Sequence, residues 1–281
     1  MDKMVLECAP DYLCAGVIGH PIAHSKSPVI HGYWLEKFGI KGCYARYDIL
    51  PEYLEQGISD LVSAGIRGFN VTIPYKIEIM KYCEELSDEA RAIGAVNTVV
   101  VREDGTLFGT NTDYFGFIEN IREAKPTFDF TNGSAVVLGA GGASRAVIYG
   151  LKKAGVPQIV IVNRTPSKAE ALALEFGCSH SAWEDLPQVL GSCHLLVNTT
   201  SLGMTGQDPL NIDISGLSES CLVSDIVYAP LMTDLLLSAE ARGLDFVSGI
   251  GMLLHQARPG FKAWFGQDVT VDKPLLSCVL G

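Results

Sequence analysis

The chain has 281 residues, of which 48% are hydrophobic and 19% are charged, and its formal net charge is -11. This composition is typical of a globular protein with one large or two ordinary domains. The negative charge, without any lysine- or arginine-rich run, argues against general nucleic-acid binding, because such a surface repels phosphates. Small anionic ligands remain compatible with it if a few basic side chains lie at their site.

The eight cysteines are spread along the chain and none forms a C-x-x-C pair. We therefore expect free thiols in a reducing cytosol, with neither a structural zinc site nor a disulfide framework. The N-terminal stretch "MDKMVLECAPDYLCAGVIG" contains early acidic residues and is a poor signal peptide. No run approaches the ~20 apolar residues that span a bilayer. These features predict a soluble, cytoplasmic protein.

Residues 1–112 alternate predicted strands and helices and end in a hairpin, which indicates an α/β layer with a mixed sheet. In chain order the patterns predict a strand over 13–19, a helix from Ser27-Pro28 to Gly39, a strand over 44–49, a helix over 51–64, a strand over 68–73, helices over 76–83 and 87–92, and a hairpin at Asp104-Gly105.

The stretch "NVTIPYK" (70–76) has the alternation of a half-buried strand, with Asn70 and Thr72 on its polar face. Pro74 ends the strand because it has no N–H to donate, and Lys76 follows. A lysine in this place is usually solvated, so the pattern alone does not assign Lys76 a role.

A second unit begins near residue 113, where strands and helices alternate again and predict a doubly wound parallel sheet. The patterns predict helices over 113–124, 167–176 and 233–242, strands at "SAVVL", "QIVIVNRT", 194–201, 221–228 and 245–248, and a long amphipathic helix at "GMLLHQARPGFKAWFG".

The segment "VVLGAGGASRA" (136–146) joins a buried strand to a helix through a glycine-rich turn. Gly139 allows the tight turn, and Gly141 leaves room for a pyrophosphate near the helix N-terminus. Ser144 stands where the dinucleotide fingerprint has Gly or Ala, but it is small enough for close packing. The alternative is a purely structural turn, which this context disfavours.

The end of the next strand predicts the cofactor. NAD sites place an acidic residue there for the ribose hydroxyls, whereas this strand continues as Asn163, Arg164 and Thr165, with Lys168 further on. Arg164 can stack on adenine and pair with a 2′-phosphate, and Thr165 can donate to it. We therefore predict NADP(H), with a simple surface arginine as the alternative.

Two further segments offer polar side chains at helix starts. Ser25 and Ser27 point the same way in extended chain, which suits a substrate carboxylate, although Ser27 alone is also a good helix N-cap. Asp113 begins a predicted helix, where an aspartate is very often only an N-cap.

Together these segments resemble the shikimate dehydrogenase family over nearly the whole chain. The motifs, in order, are "GHPIAHSKSP", "GFNVTIPYK", "AIGAVNTVV", "GTNTDYFGF", "LGAGGASRA", "VNRT", "NTTSLGM", "DIVYAPLMT" and "GIGMLLHQA". The resemblance implies two α/β domains: a substrate-binding and catalytic domain with a mixed sheet over 1–112 plus 250–281, and a Rossmann-like NADP domain over 113–249. It also implies reversible reduction of 3-dehydroshikimate to shikimate by NADPH in aromatic amino-acid biosynthesis.

The resemblance also implies roles for individual residues. Lys76 and Asp113 correspond to the catalytic pair. The resemblance implies that Ser25 and Ser27, with Thr72 nearby, bind the substrate carboxylate. It implies that the rest of the substrate is bound by Asn97, Asp113, Tyr228 and Gln256. The implied cofactor-binding set is Gly139, Ala140, Gly141, Gly142, Ala143, Asn163, Arg164, Thr165, Lys168, Thr199, Thr200, Ser201, Met204, Ile226, Gly249 and Met252, the last being either core or cleft lining. No metal is implied.

Two alternatives stay open at this point. One is a quinate/shikimate dehydrogenase that uses NAD, which an acidic residue after the second strand of the nucleotide domain would favour. The other is a non-catalytic member that binds ligand, which loss of Lys76 or Asp113 would mark. The expected partner is a small molecule, with neither nucleic acid nor membrane, and a homodimer is the candidate assembly.

Overall fold

The computed structural model describes residues 12–281. Two compact units divide the chain: one runs to Thr112 and resumes from Gln256 to Gly281, and the other is Asp113–His255. The sequence placed the return to the first unit at residue 250. The boundary in the structure lies within a single helix, Ile250–Phe265.

The first unit contains a six-stranded mixed sheet. Its strands are β1 (Leu13–Gly19), β2 (Gly42–Asp48), β3 (Gly68–Val71), β4 (Glu85–Leu86), β5 (Thr98–Val101) and β6 (Leu107–Thr110), in the order β2-β1-β3-β5-β6-β4. Its helices are α1 (Ser27–Lys37), α2 (Leu54–Ser63), α3 (Asp88–Ile93) and α10 (Lys273–Leu280).

Three details of this unit differ from the sequence-based expectations. The helix predicted over 76–83 is only a short 3₁₀ helix at Glu78–Tyr82. The helix α1 begins at Ser27 with Lys26 as its N-cap, so Ser27 is not the predicted cap. Strand β3 lies between β1 and β5, and all four of its residues are buried, so the predicted half-buried strand is wrong. A central strand of a covered sheet has no solvent face, and a polar residue such as Asn70 must find partners inside.

The second unit contains a six-stranded sheet in which every pair is parallel. Its strands are β7 (Ser134–Leu138), β8 (Gln158–Val162), β9 (Ser179–Ser181), β10 (Cys193–Asn198), β11 (Leu222–Asp225) and β12 (Phe246–Val247), in the order β12-β11-β10-β7-β8-β9. Its helices are α4 (Asp113–Ala124), α5 (Gly142–Lys153), α6 (Pro166–Phe176), α7 (Leu186–Leu190) and α8 (Asp234–Ala241), with α9 (Ile250–Phe265) crossing the unit boundary.

Helices cover both faces of this parallel sheet. Along β7, Ala135 and Val137 pack into the core that contains residues of α4, α5 and α6, whereas Val136 and Leu138 pack into the core with residues of α7 and α8. The strand is apolar throughout because both faces are buried. The prediction of a two-domain α/β fold with a mixed sheet and a Rossmann-like parallel sheet is confirmed.

The sequence did not predict β4, β9, α7 or α10, which are all short. The expectation of free thiols is wrong at Cys14, which is disulfide-bonded, while six further cysteines of the described chain are free. Within residues 12–281, no helix combines the length and the apolar character needed to cross a membrane.

Candidate active site

The glycine-rich turn follows β7 directly and leads into α5. Gly139 has a φ of 108°, which side chains other than glycine rarely adopt, and its N–H donates to the carbonyl of Val162 at 2.8 Å. A Cβ placed on Gly141 or Gly142 would meet no protein atom within 4 Å. The turn therefore presents open backbone at a helix N-terminus, which is the geometry that a phosphate group requires.

Ser144 ties this turn to the end of β10. Its hydroxyl accepts the Gly141 N–H at 3.1 Å and lies 2.6 Å from the hydroxyl of Thr199. Thr199 donates to the carbonyl of Leu138 at 2.6 Å, and since a carbonyl can only accept, Ser144 must be the donor to Thr199. The departure from the glycine fingerprint thus has a function: a fully buried serine joins the two segments.

The end of β8 carries no acidic side chain between Asn163 and Lys168. Arg164, Thr165 and Lys168 are all exposed, and the Thr165 hydroxyl makes no capping bond although Thr165 is the N-cap of α6. Asn163 turns its amide nitrogen onto the carbonyl of Thr165 at 3.0 Å. Beside an open glycine turn, two cations without a carboxylate fit the extra phosphate of NADP(H) and do not match the acidic pattern of NAD sites.

A buried carboxylate organises the loop after β10. Asp225 is fully buried and accepts from Asn198 Nδ2 at 3.0 Å, from the N–H of Val227 at 2.9 Å and from the Thr233 hydroxyl at 2.7 Å. Burial raises the pKa of Asp225. Asn198 Oδ1 in turn accepts from the N–H and the hydroxyl of Thr200. The loop after β10, which carries the implied cofactor ligands Thr199, Thr200, Ser201 and Met204, is thereby fixed to the ends of β10 and β11.

The other predicted ligands of the second unit differ in exposure and packing. Ala140, Ala143 and the predicted substrate ligand Tyr228 are half-buried, and Ser201 and Met204 are exposed. Ile226 and Met252 pack against the core shared by α4, α5 and α6, which favours the core alternative for Met252. Gly249 has no room for a side chain, because a Cβ would lie 2.2 Å from the carbonyl oxygen of Ile226.

In the first unit, Ser25 and Ser27 lie at the start of α1. The Ser25 hydroxyl accepts the N–H of Ser27 at 3.3 Å. The guanidinium of Arg46, on β2, donates to the carbonyl of Ser25 from Nε at 3.0 Å and from Nη2 at 2.6 Å. These two hydrogen bonds to one carbonyl oxygen fix the loop that carries both hydroxyls, and they place a positive charge close to where a carboxylate is predicted to bind.

Asn97 and Gln256 come together in the first unit although they are 159 residues apart. Asn97 Nδ2 donates to Gln256 Oε1 at 3.3 Å and to the Thr112 hydroxyl at 3.0 Å, while Asn97 Oδ1 accepts the N–H of Thr112 at 2.8 Å. Thr112 also donates to the Gln256 carbonyl at 2.8 Å. The start of the C-terminal segment is thus joined to the end of β6 and the start of β5.

Thr72 and Lys76 follow β3 and are both half-buried. The Thr72 methyl lies close to Gly19, where a Cβ would stand 2.5 Å away. The carbonyl of Lys76 accepts the N–H of Val96 at 2.7 Å, which anchors the lysine backbone next to Asn97. Lys76 therefore belongs to the same unit as the predicted serine, threonine, asparagine and glutamine ligands.

Asp113 is the first residue of α4 and the first of the second unit, and it is buried.

Within the described residues, no cluster of histidine, cysteine, aspartate or glutamate has the composition of a metal site.

The sequence did not predict the roles of Arg46 and of the buried carboxylate Asp225, nor that Ser144 hydrogen-bonds the glycine-rich turn to the end of β10. Ser144 left a signal, since it breaks the glycine fingerprint. Arg46 left none, because its partner lies 21 residues away on another element.

Comparison with known families decides the membership of the chain. The sequence profile of the "Shikimate dehydrogenase substrate binding domain" matches residues 17–99, and that of "Shikimate / quinate 5-dehydrogenase" matches residues 122–204. A shikimate dehydrogenase (NADP(+)) from Rhodospirillum rubrum is 50% identical over 273 residues, covering 95% of this chain and 96% of the relative. One from Paramagnetospirillum magneticum is 51% identical over 268 residues, covering 95% and 97%.

The chain belongs to the shikimate dehydrogenase family. The prediction made from its motifs is confirmed.

Solved structures agree with this membership. Shikimate 5-dehydrogenase from Thermus thermophilus, in complex with NADP(H) and shikimate, has a TM-score of 0.86 at 36% identity, covering 95% of this chain and 98% of that one. Quinate dehydrogenase from Corynebacterium glutamicum, in complex with NAD, has a TM-score of 0.89 at 30% identity, covering 96% and 99%. One fold thus occurs with both cofactors, so the fold alone does not decide which cofactor is bound.

Proposed function

We propose that this chain is an NADP-dependent shikimate dehydrogenase, which reversibly reduces 3-dehydroshikimate to shikimate. The observation that carries the proposal is the identity of about 50%, over 95% of the chain, with enzymes named shikimate dehydrogenase (NADP(+)). The end of β8 supports the same choice, since Arg164 and Lys168 stand where an NAD enzyme has an acid. That feature disfavours an NAD-dependent quinate/shikimate enzyme.

In this proposal the first unit, with the C-terminal segment, binds the substrate, and the second unit binds NADP(H). The Ser25 and Ser27 hydroxyls donate to the substrate carboxylate, with Thr72 beside them. The structure supports this role for Ser27, because its hydroxyl is not spent on capping α1.

The ring hydroxyls of the substrate are assigned to Asn97, Asp113 and Gln256. Asn97 and Gln256 act as a pair whose amides are already joined. Tyr228 is a further substrate ligand in this proposal.

NADPH supplies the hydride when bound. Lys76 stabilises the negative charge that develops on the carbonyl oxygen and provides the proton that completes the hydroxyl group. Asp113 orients the Lys76 ammonium and holds a neighbouring substrate hydroxyl. A non-catalytic member is disfavoured, since both residues are present.

The cofactor is proposed to lie along the carboxyl ends of the parallel sheet. The open turn at Gly141 and Gly142 receives the pyrophosphate. Arg164, Thr165 and Lys168 hold the 2′-phosphate, and Asn163 shapes their loop. The remaining assigned residues line the path toward the nicotinamide, namely Gly139, Ala140, Ala143, Thr199, Thr200, Ser201, Met204, Ile226 and Gly249. Met252 packs against the core and is left out of this path.

The test measures the absorbance of NADPH formed from shikimate and NADP⁺. The assay is repeated with NAD⁺ replacing NADP⁺, and with quinate replacing shikimate. The proposal expects turnover with shikimate and NADP⁺, and weak or absent turnover in the other combinations. Activity with quinate and NAD⁺ that equals or exceeds it would overturn the assignment in favour of the alternative.

A separate variant, Arg164→Ala, tests the assignment of NADP(H) as the cofactor. Arg164→Ala is expected to raise the KM for NADP⁺ by about 10-fold or more, because a charge-assisted contact worth about 1.5–3 kcal/mol is lost, and to leave the KM for NAD⁺ nearly unchanged. Arg91→Ala, which removes another exposed arginine, in the first unit, is the matched control. An unchanged ratio of the two KM values would contradict the role of Arg164.

We further propose that the enzyme is cytoplasmic and assembles as a homodimer. Light scattering on the purified chain tests the assembly, and a fluorescent fusion tests the location.

A further inference from the structure

A continuous chain of buried hydrogen bonds runs through the first unit from Tyr44 to Gln256. The Tyr44 hydroxyl lies 2.6 Å from Asn70 Oδ1. Asn70 Nδ2 donates to the carbonyl of Asn97 and to the Thr98 hydroxyl, both at 3.1 Å. Asn97 Nδ2 then donates to Gln256 Oε1 at 3.3 Å. The residues of this chain are at most 9% exposed, so solvent does not compete for these bonds.

The direction of each bond is fixed by its acceptors. The carbonyl of Asn97 can only accept, so the atom of Asn70 that faces it must be the amide nitrogen. Asn70 Oδ1 therefore faces Tyr44, and Tyr44 must donate. Likewise Asn97 Oδ1 accepts the backbone N–H of Thr112 at 2.8 Å, which turns Asn97 Nδ2 toward Gln256. Neither amide can flip without breaking bonds on both of its sides.

The Thr98 hydroxyl connects the two asparagines. It accepts from Asn70 Nδ2 and donates to Asn97 Oδ1 at 3.0 Å. Since a hydroxyl has one proton, donating to Asn97 requires that it accept from Asn70. Thr98 thus joins the side-chain amide of Asn70 to that of Asn97 in one hydrogen-bond network.

The Tyr44 ring is held firmly. It stacks on His31 with ring centroids 4.0 Å apart and planes 4° from parallel, and it contacts the Trp264 ring at 5.9 Å. Burial raises the pKa of Tyr44 well above its usual value, so the hydroxyl keeps its proton at every working pH. A fixed ring with a permanent donor is suited to orienting a neighbouring amide.

We propose that Tyr44 is a positioning residue for substrate binding, which holds the side-chain amide of Asn70 in place and, through Thr98, steadies those of Asn97 and Gln256. The inference rests on the proposed function, since it assigns the substrate contacts to Asn97 and Gln256. It also gives Asn70, which sequence reasoning left without a role, a place as the relay between Tyr44 and the ligands.

The test compares Tyr44→Phe with Tyr47→Phe. Tyr47 lies on the same strand, β2, and its buried hydroxyl has no hydrogen-bond partner among the described residues, so Phe there removes an equal atom without breaking a bond. Tyr44→Phe is expected to raise the KM for shikimate about 3- to 10-fold, as loss of one orienting hydrogen bond does. The KM for NADP⁺ should stay unchanged. Tyr47→Phe should change neither constant.

Thermal unfolding accompanies both assays. If Tyr44→Phe does not fold, Thr98→Val removes the relay hydroxyl at nearly constant volume and is expected to raise the KM for shikimate by a similar factor. A folded Tyr44→Phe, or a folded Thr98→Val, with the wild-type KM for shikimate overturns the inference, and so does an equal rise in Tyr47→Phe. Wild-type protein that does not oxidise shikimate with NADP⁺ overturns the proposed function instead.

Discussion

Acid is expected to destabilise this protein through a buried histidine, His31. The ring is fully buried on α1 and stacks on Tyr44. Burial lowers the pKa of His31 to about 3, from 6.5 in the unfolded chain. Between these values the unfolded state binds a proton that the folded state does not, so the free energy of unfolding falls as the pH drops below 6.5.

The size of the effect follows from the two pKa values. At pH 5.0, which is about 1.5 units below the unfolded pKa, protonation of His31 in the unfolded chain lowers the free energy of unfolding by about 2 kcal/mol. At pH 7.5 this effect of His31 on the free energy of unfolding is close to zero. This is a large part of the ~5–15 kcal/mol that keeps a typical domain folded. The loss continues until the pH approaches the folded pKa of about 3.

The assay is urea unfolding at pH 7.5 and pH 5.0 for the wild type, His31→Phe and His180→Phe. Phenylalanine keeps a flat ring against Tyr44 but cannot take up a proton, and His180 is an exposed residue of β9 that serves as the control. We expect the wild type and His180→Phe to lose about 2 kcal/mol more than His31→Phe between the two pH values. Equal losses in all three proteins would refute the reasoning.

Two further variants test the proposed site. Lys76→Ala is expected to lower kcat by about 10²–10⁴-fold with a much smaller change in the KM for shikimate, because an acid–base group is lost. The control Lys81→Ala, which removes an exposed lysine, should change neither constant. A near-normal kcat in Lys76→Ala would exclude Lys76 as the proton donor. Ser144→Ala is expected to cost about 1–3 kcal/mol of stability, because the Gly141 N–H loses its acceptor and the buried Thr199 hydroxyl loses its donor. It is also expected to raise the KM for NADP⁺ relative to the exposed Ser167→Ala; calorimetry and the same absorbance assay measure both effects.

The second unit was largely readable from its sequence. Its strands are continuous apolar runs because both faces of a parallel sheet are buried, and its glycine turn follows a strand directly. The residues at the end of β8 are consecutive, so their chemistry could be listed without knowing the structure. Local pattern and local geometry coincide there, and the sequence-based interpretation needed no long-range contact.

The first unit was less readable, since its polar residues acquire partners only through the sheet order. The alternation in "NVTIPYK" predicted one solvent-facing side, but β3 lies inside the sheet and Asn70 is buried. Whether a polar residue on a strand faces solvent or is buried and hydrogen-bonded depends on the neighbouring strands, and a single sequence does not reveal which strands those are. Motif resemblance supplied the candidate ligands there, but not the residues that orient them.

Strand register explains how Tyr44 reaches Asn70 across an intervening strand. On β2 and β1, Tyr44 pairs with Ala15, and on β1 and β3, Val17 pairs with Asn70. Residues i and i+2 of β1 lie on one face, so all four side chains share that face. Ala15, the β1 residue opposite Tyr44, carries only a small side chain on that face. An apolar position with no polar atom of its own is therefore part of the arrangement that orients the proposed substrate ligands.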